Sequence, residues 1–449
     1  MKILLIAANT HTAPYPVYPL GLDYVAGALA PAHTVERIDL NALDPGDALE
    51  RTVRDFQPRL IGIGLRNVDS TDASDLKSFI QPHRRLVARL RQLSDAWIVV
   101  GGSGFTIFPS EIMAALQADF GIIGEGERLT LLVAALEQQQ DPLKVSGVVN
   151  SSAPAAFPPP WPGPPHRQLP DHGPGLDYYL QNGGMLNLQT KRGCPFRCIY
   201  CTYPHIEGRR MRLISPEKVA QTARELQAAG AKYFFITDSA FNADLAHSQA
   251  VARAFIQAGV TIPWGAFCAP VSPPADYFQL MARAGMQHVE FGTEALTRSV
   301  LAAYGKPFTP GQVHKAHAAA LAAGLHVAHY LLLGGPGETP QTLEQTLKRA
   351  AELTRCVIFL FCGMRIYPHT GLYDLARQEG LLDPRDNLLD PVFYHSADMD
   401  PASIMARVIP LAEKRPNWIV GSGGDQTQAI ITRMYARGYS GPLWEYLIR

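Results

Sequence analysis

Three thiols fall within eight residues, at Cys194, Cys198 and Cys201 in the run K-R-G-C-P-F-R-C-I-Y-C-T-Y-P. Three thiolates at this spacing can hold three irons of a [4Fe–4S] cube and leave the fourth iron open. An open position marks a metal that does chemistry rather than one that staples a fold. A structural zinc would need a fourth ligand. His205 stands nearby, although a C-x3-C-x2-C loop is poorly suited to a zinc finger. The chain has six cysteines among 449 residues, too few for a disulfide scaffold. Cys268, Cys356 and Cys362 lie in apolar contexts and read as buried, inert thiols.

The cysteine run follows directly on an apolar strand predicted at 185–190. Further strands are predicted at 233–237, 263–267, 288–292, 327–333 and 357–366. Helices lie between them at 216–229, 245–258, 274–284, 310–323 and 340–353, several opening with Pro in the first turn, where its missing N–H costs nothing. Six such units make a partial (β/α)6 barrel of the TIM type, with its site at the carboxyl ends of the strands. Residues 1–150 repeat the alternation, with uniformly apolar strands at 3–7, 60–65, 97–100 and 120–123. The helices there fall at 22–29, 48–56, 76–93 and 110–116. This α/β pattern predicts a doubly wound parallel sheet of the Rossmann or flavodoxin kind, binding a ligand beyond its strand ends. The loops at that edge are 9–14, 66–72, 101–108 and 124–127. No G-x-G-x-x-G follows the first strand, so a nicotinamide or flavin has no support. A Pro-rich segment at 151–180 reads as an extended linker. The barrel is assigned to 181–382, and 383–449 to a small, mostly helical cap.

Lys plus Arg and Asp plus Glu number 40 each, which removes the electrostatic case for nucleic acid or an anionic membrane as main partner. The cluster Arg209, Arg210, Arg212 reads as a solvated loop. The N-terminus M-K-I-L-L-I-A reads as a buried strand rather than a signal peptide, and no run approaches the ~18 apolar residues of a membrane span. A cytoplasmic, monomeric protein is expected.

The segment 185–370 resembles the radical S-adenosylmethionine (SAM) superfamily. Beyond the cysteines, the resemblance rests on T-D-S-A-F-N at 237–242, V-E-F-G-T-E-A ending the fourth strand, Y-G-K at 304–306, G-G-P-G-E at 334–338 and R-I-Y-P-H-T at 365–370. It implies that Tyr200 lies beside the cluster and the adenine of SAM. It also implies that Asp238, Ser239 and Asn242 meet the methionine amine, and that Glu294 contacts the SAM ribose or amino group. Residues 1–150 resemble the cobalamin-binding domain that precedes the barrel in one large radical SAM subclass. The matching segments are Y-P-L-G-L at 18–22, I-G-I-G-L-R-N-V-D at 61–69, V-V-G-G-S-G-F at 99–105 and G-E-G-E at 124–127. The corrin-edge residues so implied are His11, Leu20, Gly21, Arg66, Asn67, Val68, Gly101, Gly102, Ser103, Gly104, Phe105, Gly124 and Glu125. Independent cobalamin modules carry D-x-H-x-x-G after the first strand. Here His11 lacks the Asp and Gly of that motif, so the lower face of cobalt is expected to be open or otherwise occupied. Arg66 would set a cation near cobalt, unless it pairs with Asp69 or Asp72 at the surface. The resemblance implies a [4Fe–4S] cluster, SAM and cobalamin as cofactors, an external one-electron reductant and a small-molecule substrate, with a lipid-like compound or a natural-product intermediate among the candidates. The implied reaction is cleavage of SAM to a 5′-deoxyadenosyl radical and methylation of an unactivated carbon through methylcobalamin. Radical rearrangement, cyclisation, oxidation or carbon–carbon bond formation with the same cofactors is the alternative.

Overall fold

The computed structural model describes residues 1–43, 47–152, 155–170, 173–383 and 385–448. Two parallel sheets organise it. The first contains β1 (Lys2–Ala7), β2 (Thr34–Asp39), β3 (Leu60–Gly64), β4 (Trp97–Gly101), β5 (Phe120–Ile122) and β6 (Val148–Val149), in the order β2-β1-β3-β4-β5-β6. All neighbours pair parallel except the short β6, which runs antiparallel to β5. The order reverses between β1 and β3, and the crevice at such a switch point is where doubly wound sheets bind ligands. The loops after β1 and β3, carrying His11 and Arg66, flank it. Four strands lie where the apolar runs predict them. β2 is an addition: T-V-E-R-I-D mixes charge with apolar positions because it is an edge strand with one open face.

The second sheet begins with β7 (Met185–Leu188). Next, β8 (Lys191–Arg192) and β9 (Arg212–Leu213) pair antiparallel and bracket the cysteine loop. The sheet continues through β10 (Tyr233–Ile236), β11 (Trp264–Cys268), β12 (Met286–Glu294), β13 (His326–Leu333) and β14 (Cys356–Cys362). A small pair, β15 (Met364–Arg365) with β16 (Phe393–Tyr394), precedes β17 (Trp418–Val420). The main sheet is all parallel in the order β17-β14-β13-β12-β11-β10-β7. Among the described residues β7 and β17 are not paired to each other, so the barrel is partial. The predicted six strands are present, and the C-terminal region supplies a seventh besides the helices Pro401–Ala412 and Gly424–Ala436.

Ion pairs and the linker hold the two sheets against one another. Arg365 Nε lies 2.9 Å from Asp69 Oδ2 with both side chains buried. Glu125 pairs with Arg212, and Glu127 with Arg192 at 2.7 Å. In the linker, Arg167 reaches back to Asp23 at 2.9 Å and forward to the Asn187 carbonyl at 2.7 Å. Among the described residues no helix is long and apolar enough to cross a membrane.

Candidate active site

The cysteine loop is held at both ends by backbone and carboxylate contacts. Cys194 N donates to Gly208 O (3.1 Å), and Gly193 N donates to Glu207 Oε2 (2.9 Å). In its middle, Ile199 N donates to Tyr304 O (3.0 Å) while Ile199 O accepts from Leu372 N (2.8 Å). Thus the Y-G-K segment is the seat of the loop. Gly305 lies so close that a Cβ there would stand 2.4 Å from Arg197 O. The three thiols are unpaired with one another as disulfides, Cys194 buried and the others half-buried. Burial pushes the Cys201 thiol up to about 12 and raises Cys198 as well, the latter partly offset by the adjacent Lys306 ammonium. Thiolates gathered in so dry a loop are costly without a cation to neutralise them, so the donor set fits an iron–sulfur cluster.

Lys306 has a part here that its sequence context does not announce. Its ammonium sits 3.0 Å from Glu294 Oε1 and 5.3 Å from the centroid of the Tyr200 ring. Tyr200 OH donates to the same Glu294 oxygen at 2.8 Å. Glu294 occupies a bulge at the end of β12 with φ +61°, a left-handed conformation that a non-Gly residue adopts only when its surroundings impose it. Tyr200 and Glu294, named from sequence, are therefore brought together beside the cysteines.

The T-D-S-A-F-N segment divides differently from expectation. Asp238 is buried and accepts from Thr190 N (2.9 Å) and Thr190 Oγ1 (2.6 Å), with Lys191 Nζ 3.9 Å away. Asn242 is buried in a reciprocal pair with the Ala269 backbone, both bonds 2.8 Å. These two side chains tie loops together and are largely occupied. Ser239 Oγ and Lys191 Nζ, by contrast, are buried with no hydrogen-bond partner among the described residues. A buried polar atom left unpaired costs about 1–3 kcal/mol, so these two atoms mark where a polar ligand fits.

At the edge of the first sheet, Arg66 is half-buried and its Nε is buried without a hydrogen-bond partner among the described residues. It forms no ion pair with Asp69, which is taken by Arg365, nor with Asp72, which accepts from Ser74 and Ser422 N. Burial pulls the guanidinium below its usual range, offset by the phenols of Tyr179, Tyr203 and Tyr15 and the Asp39 carboxyl. The helix Ser103–Ile107 packs on Tyr203–Ile206, so the corrin-edge loops and the cysteine loop share one cleft. His11 packs its ring on Phe79 at 5.3 Å, and burial and then Arg66 lower its pKa.

Several corrin-edge residues named from sequence serve the protein instead. Gly102 has φ +102°, and a Cβ there would stand 2.6 Å from Leu65 O, so it meets the chain's own backbone. Ser103 Oγ donates to Arg66 O (3.0 Å) and Gly104 N to Leu65 O (3.0 Å), fixing the loop that bears Arg66. Phe105 is fully buried against Gly121. Glu125 is spent on Arg212 and on Trp161 N (3.0 Å), and Gly124 N donates to Thr106 Oγ1 (2.9 Å). Val68 is buried, Leu20, Asn67 and Gly101 are half-buried, and Gly21 is exposed. No sequence signal separates a loop residue that faces a ligand from one already saturated by its neighbours.

Two family models match the chain: the Radical SAM superfamily over residues 188–350 and the B12 binding domain over residues 6–133. The chain is 25% identical over 436 residues to tryptophan 2-C-methyltransferase of Streptomyces laurentii, covering 80% of this chain and 72% of that one. It is 28% identical over 403 residues to an uncharacterized methyltransferase of Pyrococcus horikoshii, covering 85% and 84%. Its fold matches the radical S-adenosylmethionine methyltransferase TsrM from Kitasatospora setae, solved with tryptophan substrate and a SAM analog bound. The TM-score is 0.85 at 21% identity, over 99% of this chain and 97% of that one. With a cysteine loop that fits a cluster, a cleft shared by both sheets and a family match on each side of it, the chain belongs to the cobalamin-dependent radical SAM enzymes.

Proposed function

We propose that this enzyme methylates a carbon of a small-molecule substrate, using a [4Fe–4S] cluster, SAM, cobalamin and an external one-electron reductant. The observation that carries the reading is the packing of helix Ser103–Ile107, which Ser103 ties to the Arg66 loop, on Tyr203–Ile206 just beyond Cys201, so both halves present their sites to one space. When bound, the cluster with SAM supplies a carbon-centred radical and cobalamin a methyl group. Cys194, Cys198 and Cys201 would hold the cluster. Ser239 Oγ and Lys191 Nζ, neither hydrogen-bonded among the described residues although the latter lies 3.9 Å from Asp238, offer donors for the polar end of SAM, and Tyr200 with Glu294 offers a ring and a carboxylate for its nucleoside end. Lys306 holds the Glu294 carboxylate and adds positive charge beside Cys198. The corrin would lie against the Arg66 loop, where Arg66 Nε is buried without a hydrogen-bond partner among the described residues, and burial with the charge of Arg66 disfavours the protonated form of His11. The division into a cobalamin domain (1–150), linker (151–180), barrel (181–382) and C-terminal region (383–449) is part of the same reading.

The test uses anaerobically purified protein with reconstituted cluster and added hydroxocobalamin, incubated with SAM and a strong reductant. S-adenosylhomocysteine and 5′-deoxyadenosine are measured by mass spectrometry. Cobalamin-dependent S-adenosylhomocysteine, lost in Cys198→Ala, is the expected result. Deoxyadenosine with S-adenosylhomocysteine no higher than in the cobalamin-free control would overturn methyl transfer in favour of a radical rearrangement or coupling.

A further inference from the structure

Side chains alternate along the strands of the second sheet. Phe234, Trp264 and Phe291 point one way, under the helices, and are fully buried. Phe235, Phe267, Tyr330, Phe359 and Phe361 point the other way. On that face Phe267 is 37% exposed, although it lies on a central strand, and Tyr330 and Phe361 are half-buried. A sheet packed on both faces leaves no such ring open, so this face borders a hollow.

The rings form one wall. Phe235 and Phe267 meet at 5.0 Å and Phe267 and Tyr330 at 6.0 Å, both edge-on. Tyr330 lies nearly parallel to Phe359 (4.7 Å, 11°) and to Phe361 (6.4 Å, 16°). Strands two apart in a flat sheet are separated by ~9.6 Å. The contact between Phe267 on β11 and Tyr330 on β13 therefore spans the intervening strand, as the inward face of a partial barrel allows. Gly292, paired with Tyr330 across β12 and β13, leaves the space in which the two rings converge. Beneath them, Glu290 is fully buried and both its oxygens are used, by Tyr330 OH (2.7 Å) and Trp444 Nε1 (3.0 Å). The accessible part of the wall, made of Phe267, Tyr330 and Phe361, carries no formal charge.

We propose that this wall is the substrate subsite and that it takes a planar, uncharged aromatic ring, laid on the near-parallel faces of Tyr330 and Phe361 with Phe267 at its edge. The subsite rests on reading this sheet as the radical SAM barrel. Flat faces within 16° of each other favour a flat guest over a puckered one, because stacking adds to what burial alone gives.

The experiment compares two uncharged probes of one skeleton, 2-naphthol and decahydro-2-naphthol, by equilibrium dialysis against the cluster- and cobalamin-loaded full chain. 2-Naphthol is expected to bind at least fivefold more tightly. Tyr330→Leu and, independently of the Glu290 hydrogen bond, Phe361→Leu are expected to remove that preference while iron and cobalamin contents stay at the wild-type level. Equal or tighter binding of the saturated probe, or an unchanged preference in Phe361→Leu, would overturn the proposal. Cofactor loading and S-adenosylhomocysteine formation are measured on the same preparation. A protein that turns over SAM without the naphthol preference refutes the aromatic subsite alone. One that shows the preference but takes up no cofactors refutes the enzymatic reading alone.

Discussion

Arg365 donates to the carboxylate of Asp69 at 2.9 Å, across 296 positions of sequence and between two sheets, with neither side chain open to water. The guanidinium also donates to Ile366 O and Leu388 O, both at 2.6 Å, and lies over the Tyr367 ring. R-I-Y-P-H-T thus acts first as a clamp on the N-terminal sheet. Asp69→Ala leaves a buried cation without its anion, a change that costs about 3–5 kcal/mol. Urea unfolding followed by circular dichroism should show a lower midpoint for Asp69→Ala, and a smaller loss for the double change Asp69→Ala with Arg365→Met.

Gly102→Ala tests the loop that presents Arg66. The added methyl would face the Leu65 carbonyl at 2.6 Å from a backbone with φ +102°, which costs about 1–3 kcal/mol in strain. Cobalamin retained after gel filtration should fall with it. Gly21, where an added Cβ would meet nothing within 4 Å, should accept Ala with no loss of cobalamin.

A buried chain of neutral donors stands behind Glu294. Thr293 Oγ1 and His329 Nδ1 are 2.7 Å apart, and His329 Nε2 and His317 Nδ1 are 3.0 Å apart. Burial lowers His317 to about 4 and drives His329 down as well. Both rings are depressed below their unfolded value near 6.5, so the unfolded chain binds more protons between that pH and about 4. Stability must rise with pH through this window and level off above it. The His317 contribution is on the order of 3 kcal/mol. Urea midpoints from pH 4 to 8 should follow this course, and His317→Phe should flatten it. Cys356 also lies near the two rings, its thiol lifted to about 12 and donating to Leu353 O. Each ring already has partners in this chain of contacts, so zinc added to the intact protein should not change the pH course.

Ser239→Ala removes a buried hydroxyl that has no hydrogen-bond partner among the described residues. Folding should therefore be unchanged or slightly improved, whereas the dissociation constant for SAM on the cluster-loaded protein should rise about fivefold to tenfold, for one lost hydrogen bond of about 1–1.5 kcal/mol. Isothermal calorimetry under anaerobic conditions separates the two effects. Asn242→Ala should behave in the opposite sense, because it releases the Ala269 backbone and destabilises the fold.

The apolar strands were readable because a covered parallel strand needs an unbroken hydrophobic run, and β3, β4, β10 and β14 have one. β2 and β17 were not. The first mixes charge along an exposed edge, and the second is three residues long, Trp418–Val420, in a stretch whose other signals are helical. At the site, the spacing of Cys194, Cys198 and Cys201 and the place of Glu294 and Tyr200 were visible from sequence. Sequence position gives the loop on which a residue lies but not the partners of its atoms. Asp238, Asn242 and Glu125 lie on the expected loops yet are occupied by Thr190, Ala269 and Arg212. Lys306 carries a role that its own segment, Y-G-K, does not declare, since it depends on a contact with residues twelve and more positions away.

Tyr15 packs on Met185, Tyr233 and Phe235 at the start of the second sheet and also on Ile431, Tyr435 and Leu443 from the last helix onward. One ring near the beginning of the chain is therefore gripped by residues made near its end. During synthesis the first sheet can be complete once β6 has emerged, but Tyr15 must wait for about 300 more residues, roughly 15–60 s at ribosomal speed. Contacts of such sequence separation form late. The grip on Tyr15 is consequently completed only at the end of that interval, and until then a nascent chain presents the ligand edge of its first sheet without this closure.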